Sequence, residues 1–158
     1  MKAIFLDYDT VSTGDLDTSG LKRLMPELQL YGSTDDSEIS TRLADTEIVL
    51  LNKFRLTRDH LYAARHLKLI ALAATGTDNV DLLAARERGI GVCNVRGYCS
   101  QSVSQLVWSM ILTLTQHVHE YSELAKNGSW VRSETFTVLS LPIRELAGRT
   151  LEIGRAHV

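Results

Sequence analysis

Cysteine is scarce: Cys93 and Cys99 are the only two in 158 residues. That excludes a disulfide framework and fits a reducing cytoplasm. Their spacing is neither that of a CxxC motif nor that of a zinc site. An excess of one charge sign is missing too. Lys and Arg number 17 against 19 Asp and Glu, a formal net charge of −2. The balance gives no bulk charge for binding nucleic acid or a membrane surface. Long hydrophobic runs are absent. Met1–Asp9 has one Lys, a short apolar run and then acids, which does not read as a secretory signal. The stretch Val103–Val118 is interrupted by Ser109, Thr113, Thr115, Gln116 and His117, too short and too polar to span a bilayer. No dinucleotide fingerprint stands out, because Gly89-Ile90-Gly91 lacks a third glycine and leads into a strand. There is no Walker loop either.

What is present is an ordinary globular balance, 44% hydrophobic and 23% charged. A chain of this length makes about one domain and buries about two-thirds of its unfolded surface. Strand-like and helix-like segments alternate through the first half. Lys2–Leu6, Leu28–Tyr31, Glu47–Leu51, Leu67–Ala74 and Ile90–Val95 read as strands. Between them lie a short helix around Leu21–Leu24 that ends at Pro26, a polar helix over Asp36–Ala44, a helix over Arg58–His66 capped by Thr57, and a helix over Asp78–Arg88 stopped by Gly89. This alternation predicts an α/β fold with a parallel, doubly wound sheet. Glu47–Leu51 and Leu67–Ala74 are nearly continuous in apolar residues, as expected when helices cover both faces. Farther on, Ser102 and Gln105 have capping-box spacing. Val103, Leu106, Val107, Met110, Ile111, Leu114 and Val118 then keep the helical period for over four turns. So apolar a helix is expected to pack against more than one body.

Ligands of open α/β sheets bind beyond the carboxyl ends of the strands. Asp7–Asp9, Asn52–Arg55 and Thr75–Thr77 fall there. Gly76 permits a tight turn, and a helix opening near Asp78 would aim free amides at a small anion such as a carboxylate. Lys53 or Arg55 would add positive charge. The same loop also has the composition of an ordinary βα turn with solvated basic residues. Asp7 and Asp9, at i and i+2 after the first strand, have the spacing of the acid pair in haloacid-dehalogenase-like phosphatases. They fit a loop of solvated acids equally. His117 and His119, two apart on a helix, would point about 200° apart and form no metal pair. His60 and His66 lie on a polar helix surface. The cysteines are expected to be buried and inert, and Trp108 and Trp130 to be core or interface aromatics.

The run LKLIALAATGTDNVDLLAARERGIGVCNVRGYCSQSV, Leu67 to Val103, resembles the D-isomer-specific 2-hydroxyacid dehydrogenases, within them the glycerate dehydrogenase and hydroxypyruvate reductase branch. Asn52-Lys53 and the helix QSVSQLVW fit the same pattern, and the resemblance extends from Met1 to Leu151. It implies a flavodoxin-like substrate domain over residues 1–100, then a long crossing helix and dimer arm over 101–151 leading toward a Rossmann domain. It implies that the Thr75 and Gly76 amides hold the carboxylate of a small 2-hydroxy or 2-oxo acid, with Lys53 lining the pocket. Val103 would touch NAD or NADP. A homodimer is implied; the cysteine usage, residue spacing, charge balance and apolar runs above add the expectation of a cytoplasmic protein with no bound metal and no nucleic-acid or membrane partner.

The chain then departs from the pattern. The arginine, the acidic partner and the histidine proton donor of the family come later than Leu151, so no catalytic residue is carried onto this sequence. The Rossmann domain is expected to be truncated away and the fragment to be inactive. Residues 152–158, EIGRAHV, read as a non-native tail, the translation of a sequencing-library adapter. A non-catalytic module that binds small acids through Thr75, Gly76 and Lys53 is the other reading of the same residues.

Overall fold

The strands of the computed structural model, which describes residues 1–154, are β1 (Lys2–Phe5), β2 (Glu27–Leu30), β3 (Ile48–Leu51), β4 (Leu69–Leu72) and β5 (Gly91–Cys93). All neighbours pair in parallel, in the order β2-β1-β3-β4-β5. Parallel pairing of successive strands needs a crossover each time. Helices α1 (Ser19–Leu24), α2 (Asp36–Leu43), α3 (Arg58–Ala63) and α4 (Leu82–Glu87) supply the four. The order is flavodoxin-like, as expected.

The core lies on one face of this sheet. Ile4, Leu6, Val49, Leu51, Ile70 and Leu72 pack with Ile39 and Leu43 of α2, Leu61 of α3, Ala64, and Ala84 and Ala85 of α4. The opposite face is closed at Ala3 and Phe5, whereas Ile48, Leu50, Leu69 and Ala71 are half-buried. The continuous apolar runs therefore reflect one fully packed face, under α2, α3 and α4, and a second face that is only partly covered, where Leu21 of α1 and Phe5 line one cleft. Burial of Cys93 is also corrected. It stands on an edge strand and is exposed, and Cys99 is half-buried.

Local chemistry sets the helix boundaries. Thr57 caps α3 by accepting from the His60 amide, as its position predicts. The α4 boundary corrects the expected start near Asp78. Leu56 forms an isolated parallel bridge with Val80; its amide donates to Asn79 O at 2.8 Å and its carbonyl accepts from Asp81 N at 3.1 Å. Val80 is thereby held in the bridge after a turn at Asp78–Asn79, and the extended Asp81 becomes the N-cap, accepting from Ala84 N at 2.8 Å.

The described chain divides into two units, Met1–Tyr98 and the residues from Cys99 on. The second contains α5 (Ser100–Gln116) and α6 (Val118–Lys126). The expected capping box does not form. Helix α5 begins two residues before Ser102, whose hydroxyl donates back to Cys99 O. The apolar stripe is cut at His117, which adopts the left-handed conformation at φ 51°. Of the two histidines expected on one helix, His117 is thus the break itself and His119 lies in the first turn of α6. Arg144 satisfies the last turn of α5, its amide donating to Thr115 O and its carbonyl accepting from Gln116 Nε2. No residue of α5 or α6 is buried, and Trp108 and Trp130 are exposed, so the core reading of these tryptophans is corrected. Among the described residues no helix is long and apolar enough to cross a membrane. Of the tail expected at 152–158, residues 155–158 lie outside the described residues.

Candidate functional site

A 2-1-3-4-5 sheet reverses its direction of growth between β1 and β3, and ligands of such sheets bind at that point beyond the strand ends. Asp7, just past β1, holds the centre of it. Its carboxylate is 5% exposed and accepts three successive amides, Asn52 N at 2.9 Å, Lys53 N at 2.5 Å and Phe54 N at 2.7 Å. Converging amides of this kind form an anion nest, here filled by the chain's own carboxylate. The Asn52 side-chain amide donates to Thr10 O and Oγ1, and the Thr10 hydroxyl donates to Asp7 O at 2.7 Å. The loop after β3 is therefore fastened to the loop after β1.

The loop after β4 is fastened in turn. Asn79 Nδ2 donates to Asn52 O at 3.2 Å and Phe54 O at 3.0 Å. Thr75 is braced from β5's side: its hydroxyl donates to Val95 O at 2.8 Å, and its carbonyl accepts from Asn94 Nδ2 at 2.7 Å. Thr75 and Gly76 are exposed, and among the described residues neither main-chain amide has an acceptor. A Cβ on Gly76 would stand 2.8 Å from Asp78 Oδ1, so this turn has no room for a side chain without moving Asp78. The helix-dipole part of the sequence argument is corrected, because α4 starts at Leu82 and its N-terminus is capped by Asp81. The turn itself presents the donors.

Lys53 is exposed and, among the described residues, has no carboxylate partner, unlike Lys2, Lys68 and Lys126. It lines a cleft of about 470 Å³ whose walls include Phe5, Tyr8, Val11, Leu16, Leu21, Asn52, Ala73 and Tyr98. Asp17 is the acid on its rim, and the Ser19 amide and then its hydroxyl hold that carboxyl below the usual range. Thr75 and Gly76 border β4's end without lining this cleft. Val103 belongs to the second unit, in the first turn of α5, and is exposed.

The geometry removes the physical basis for a phosphatase. The Asp7 carboxylate is buried and engaged by three amides, which leaves no nucleophilic oxygen facing solvent. Among the described residues no cluster of His, Cys, Asp or Glu is arranged to hold a metal ion. The sheet's rim carries no dinucleotide fingerprint either. The turns after β1 to β4 carry one glycine or none, without the spacing that lets a pyrophosphate approach a helix N-terminus. Sequence reasoning picked out Lys53, Thr75 and Gly76 but missed Asn79 and gave Asp7 the wrong chemistry. The signal was available: polar residues embedded at the ends of apolar strands.

Fold and rim together define an α/β domain with unpaired main-chain amides and an exposed lysine at the carboxyl edge of a parallel sheet. Residues 8–150 match the model of the D-isomer specific 2-hydroxyacid dehydrogenase catalytic domain, and the chain belongs to that family. It is 37% identical to glycerate dehydrogenase of Methylorubrum extorquens over 96% of its own length and 48% of the relative's. It is 31% identical to hydroxypyruvate reductase of Blautia hydrogenotrophica, covering 97% of this chain and 48% of that one. The chain thus spans about half the length of the curated relatives it matches. Among solved structures it resembles D-lactate dehydrogenase from Aquifex aeolicus complexed with NAD and lactic acid, with TM-score 0.67 and 26% identity over 92% of this chain and 41% of that one. A D-isomer specific 2-hydroxyacid dehydrogenase from Polaromonas shares the fold at TM-score 0.70 and 22% identity, over 94% of this chain and 46% of that one.

Proposed function

We propose that this chain supplies the acid-binding half of an NAD(P)-dependent oxidoreductase that interconverts a small D-2-hydroxy acid and its 2-oxo acid, of the glycerate and hydroxypyruvate type. The observation that carries this is the pair of unpaired amides at Thr75 and Gly76, at the end of the strand beside the Lys53 loop. Two amides in a rigid turn orient a carboxylate, and a nearby ammonium raises its affinity. The names of the glycerate dehydrogenase and hydroxypyruvate reductase relatives support the substrate class. The NAD complex of the Aquifex structure supports a nicotinamide coenzyme, with Val103 as its contact. When bound, the coenzyme supplies the hydride. The residues of this rim bind and orient the acid; none of them is a histidine placed to move a proton. The 158-residue chain is therefore expected to bind acid without turnover.

The test is an NMR titration of the chain with D-glycerate. Shifts should concentrate at the Thr75 and Gly76 amides, and Lys53→Ala should weaken binding about fivefold, the worth of an exposed charge pair. Shifts confined to other regions would refute the reading. NADH and hydroxypyruvate added to the same chain should give no turnover above buffer; measurable turnover would refute the purely binding role of the rim.

A homodimer formed through the second unit belongs to the same reading. Val131 and Phe136 are 84% and 93% exposed. The same unit holds an apolar groove of about 450 Å³ lined by Tyr121, Trp130, Val138, Leu141 and Ile143. Projecting apolar side chains and a receiving groove on one chain suit a self-complementary interface. Sedimentation that shows a monodisperse monomer at all concentrations would refute it. The exposed thiol of Cys93 fits a reducing cytoplasm.

A further inference from the structure

We propose that Asp7 and Asn79 are positioning residues of the acid site, acting through the backbone of the Lys53 loop. The proposal rests on the acid-binding reading above and adds to it what sets the geometry. Lys53 is a long, exposed side chain on a loop of irregular structure, and a lysine on a free loop is a poor partner for a fixed pair of amides. Here the loop is not free. Asp7, at the end of the buried strand β1, accepts from Asn52 N, Lys53 N and Phe54 N at 2.5–2.9 Å. The Cα of Lys53 is thereby anchored to the sheet and not to solvent. Asn79 then donates to Asn52 O and Phe54 O, the carbonyls on either side of Lys53. Asn79 lies on the same loop as Thr75 and Gly76, so the lysine and the two amides share one frame.

The choice of residue types follows from the donors. The three amides are shared between two oxygens, Asn52 N on Oδ1 and Lys53 N and Phe54 N on Oδ2, which needs an acceptor on both sides of the group; a carboxylate has two, whereas a side-chain amide replaces one with a donor. The two carbonyls flanking Lys53 need a donor with two hydrogens on one nitrogen, which Asn79 Nδ2 provides. Asp7 also brings a cost. Its negative charge near the rim opposes an incoming carboxylate, so removing the charge and removing the clamp change affinity in opposite directions. Their balance is measurable.

The experiment uses the 158-residue chain with Asp7→Asn, Asn79→Ala, Lys53→Ala and the two double variants that include Lys53→Ala. In Asp7→Asn, amide exchange at Lys53 and Phe54 should speed up about ten- to hundredfold, the worth of a hydrogen bond to a charged group, while Val49 and Ile70 keep their protection. D-Glycerate binding should weaken in both Asp7→Asn and Asn79→Ala, in Asp7→Asn by less than in Lys53→Ala because loss of the negative charge offsets part of the effect. Combined with Lys53→Ala, neither substitution should weaken it further, since a residue that acts through Lys53 has nothing left to place. A merely structural role predicts additive losses and faster exchange across the sheet. Unchanged exchange at Lys53 and Phe54, additive losses, or tighter binding in Asp7→Asn would each overturn the proposal. If Asp7→Asn does not fold, Asn79→Ala keeps the buried carboxylate and carries the same additivity test. A wild-type chain that binds no glycerate refutes the acid-site reading, while the exchange measurement still decides whether Asp7 sets the Lys53 loop.

Discussion

Gly89→Ala isolates one backbone requirement on which the acid turn depends indirectly. Gly89 has φ +67° and closes α4. Its amide donates to Arg86 O at 3.1 Å, and the Ile90 amide donates to Ala85 O at 2.8 Å, the paired bonds of a Schellman ending. Ile90 is buried with Ala84 and Ala85 and leads directly into β5, beyond which Asn94 and Val95 brace Thr75. A Cβ at Gly89 meets nothing within 4 Å, so no clash contributes to the cost. Forcing an alanine into the left-handed region costs about 1–2 kcal/mol. The stiffer unfolded chain offsets about 0.4–1 kcal/mol of that. The net is about 1 kcal/mol, or a fall in Tm of about 4–8 °C for a unit of this size. Both tryptophans lie in the second unit, so far-UV circular dichroism in urea and on heating is the assay for this one. Gly89→Asn should recover more than half of the loss, because asparagine tolerates this conformation. Gly91→Ala is the control for adding a methyl, since its Cβ would sit 3.4 Å from Leu69 Cδ1 at ordinary φ. Wild-type stability in Gly89→Ala, or equal losses for Ala and Asn, would refute the reasoning.

Leu61→Ala removes a fully buried side chain where α3 meets the sheet, and should cost about 2–5 kcal/mol in urea unfolding; a loss below about 1 kcal/mol would show that the core there is not packed as described. Asp81→Ala removes the α4 N-cap and should cost about 1 kcal/mol by the same measurement, with exchange at the Ala84 amide rising first. Glu47 is held below the ordinary glutamate range, chiefly by the Lys68 ammonium and then by the Lys2 amide. A depressed carboxylate pKa contributes stability that is fully present above its unfolded value and is lost as pH falls through the folded one. Lys68→Met should therefore lower stability at neutral pH, and the difference from wild type should close on acidification toward about pH 3. A difference that is constant with pH would count against it.

Much of the first unit was legible because its signals are local. Thr57 before α3, Gly89 after α4, Ile39 and Leu43 four apart on α2, and the apolar runs of β3 and β4 each act within a turn or a strand. Period and capping therefore locate them. Gly76 was legible as the tight-turn residue after β4 for the same reason. Asp7 was not, because its role depends on the amides of Asn52, Lys53 and Phe54, more than forty residues away in sequence. A strand-end acid looks the same in sequence whether it faces solvent or a ring of amides. The α4 boundary was misread because pairing between Leu56 and Asn79–Asp81 overrode local helix preference. The break at His117 was misread because Arg144 satisfies the groups that the broken helix leaves open. Local propensity and period located most of the elements and, through their alternation, the fold class. Long-range hydrogen bonds decided what each buried polar residue does, since a donor and its acceptor meet only after the chain has closed on itself.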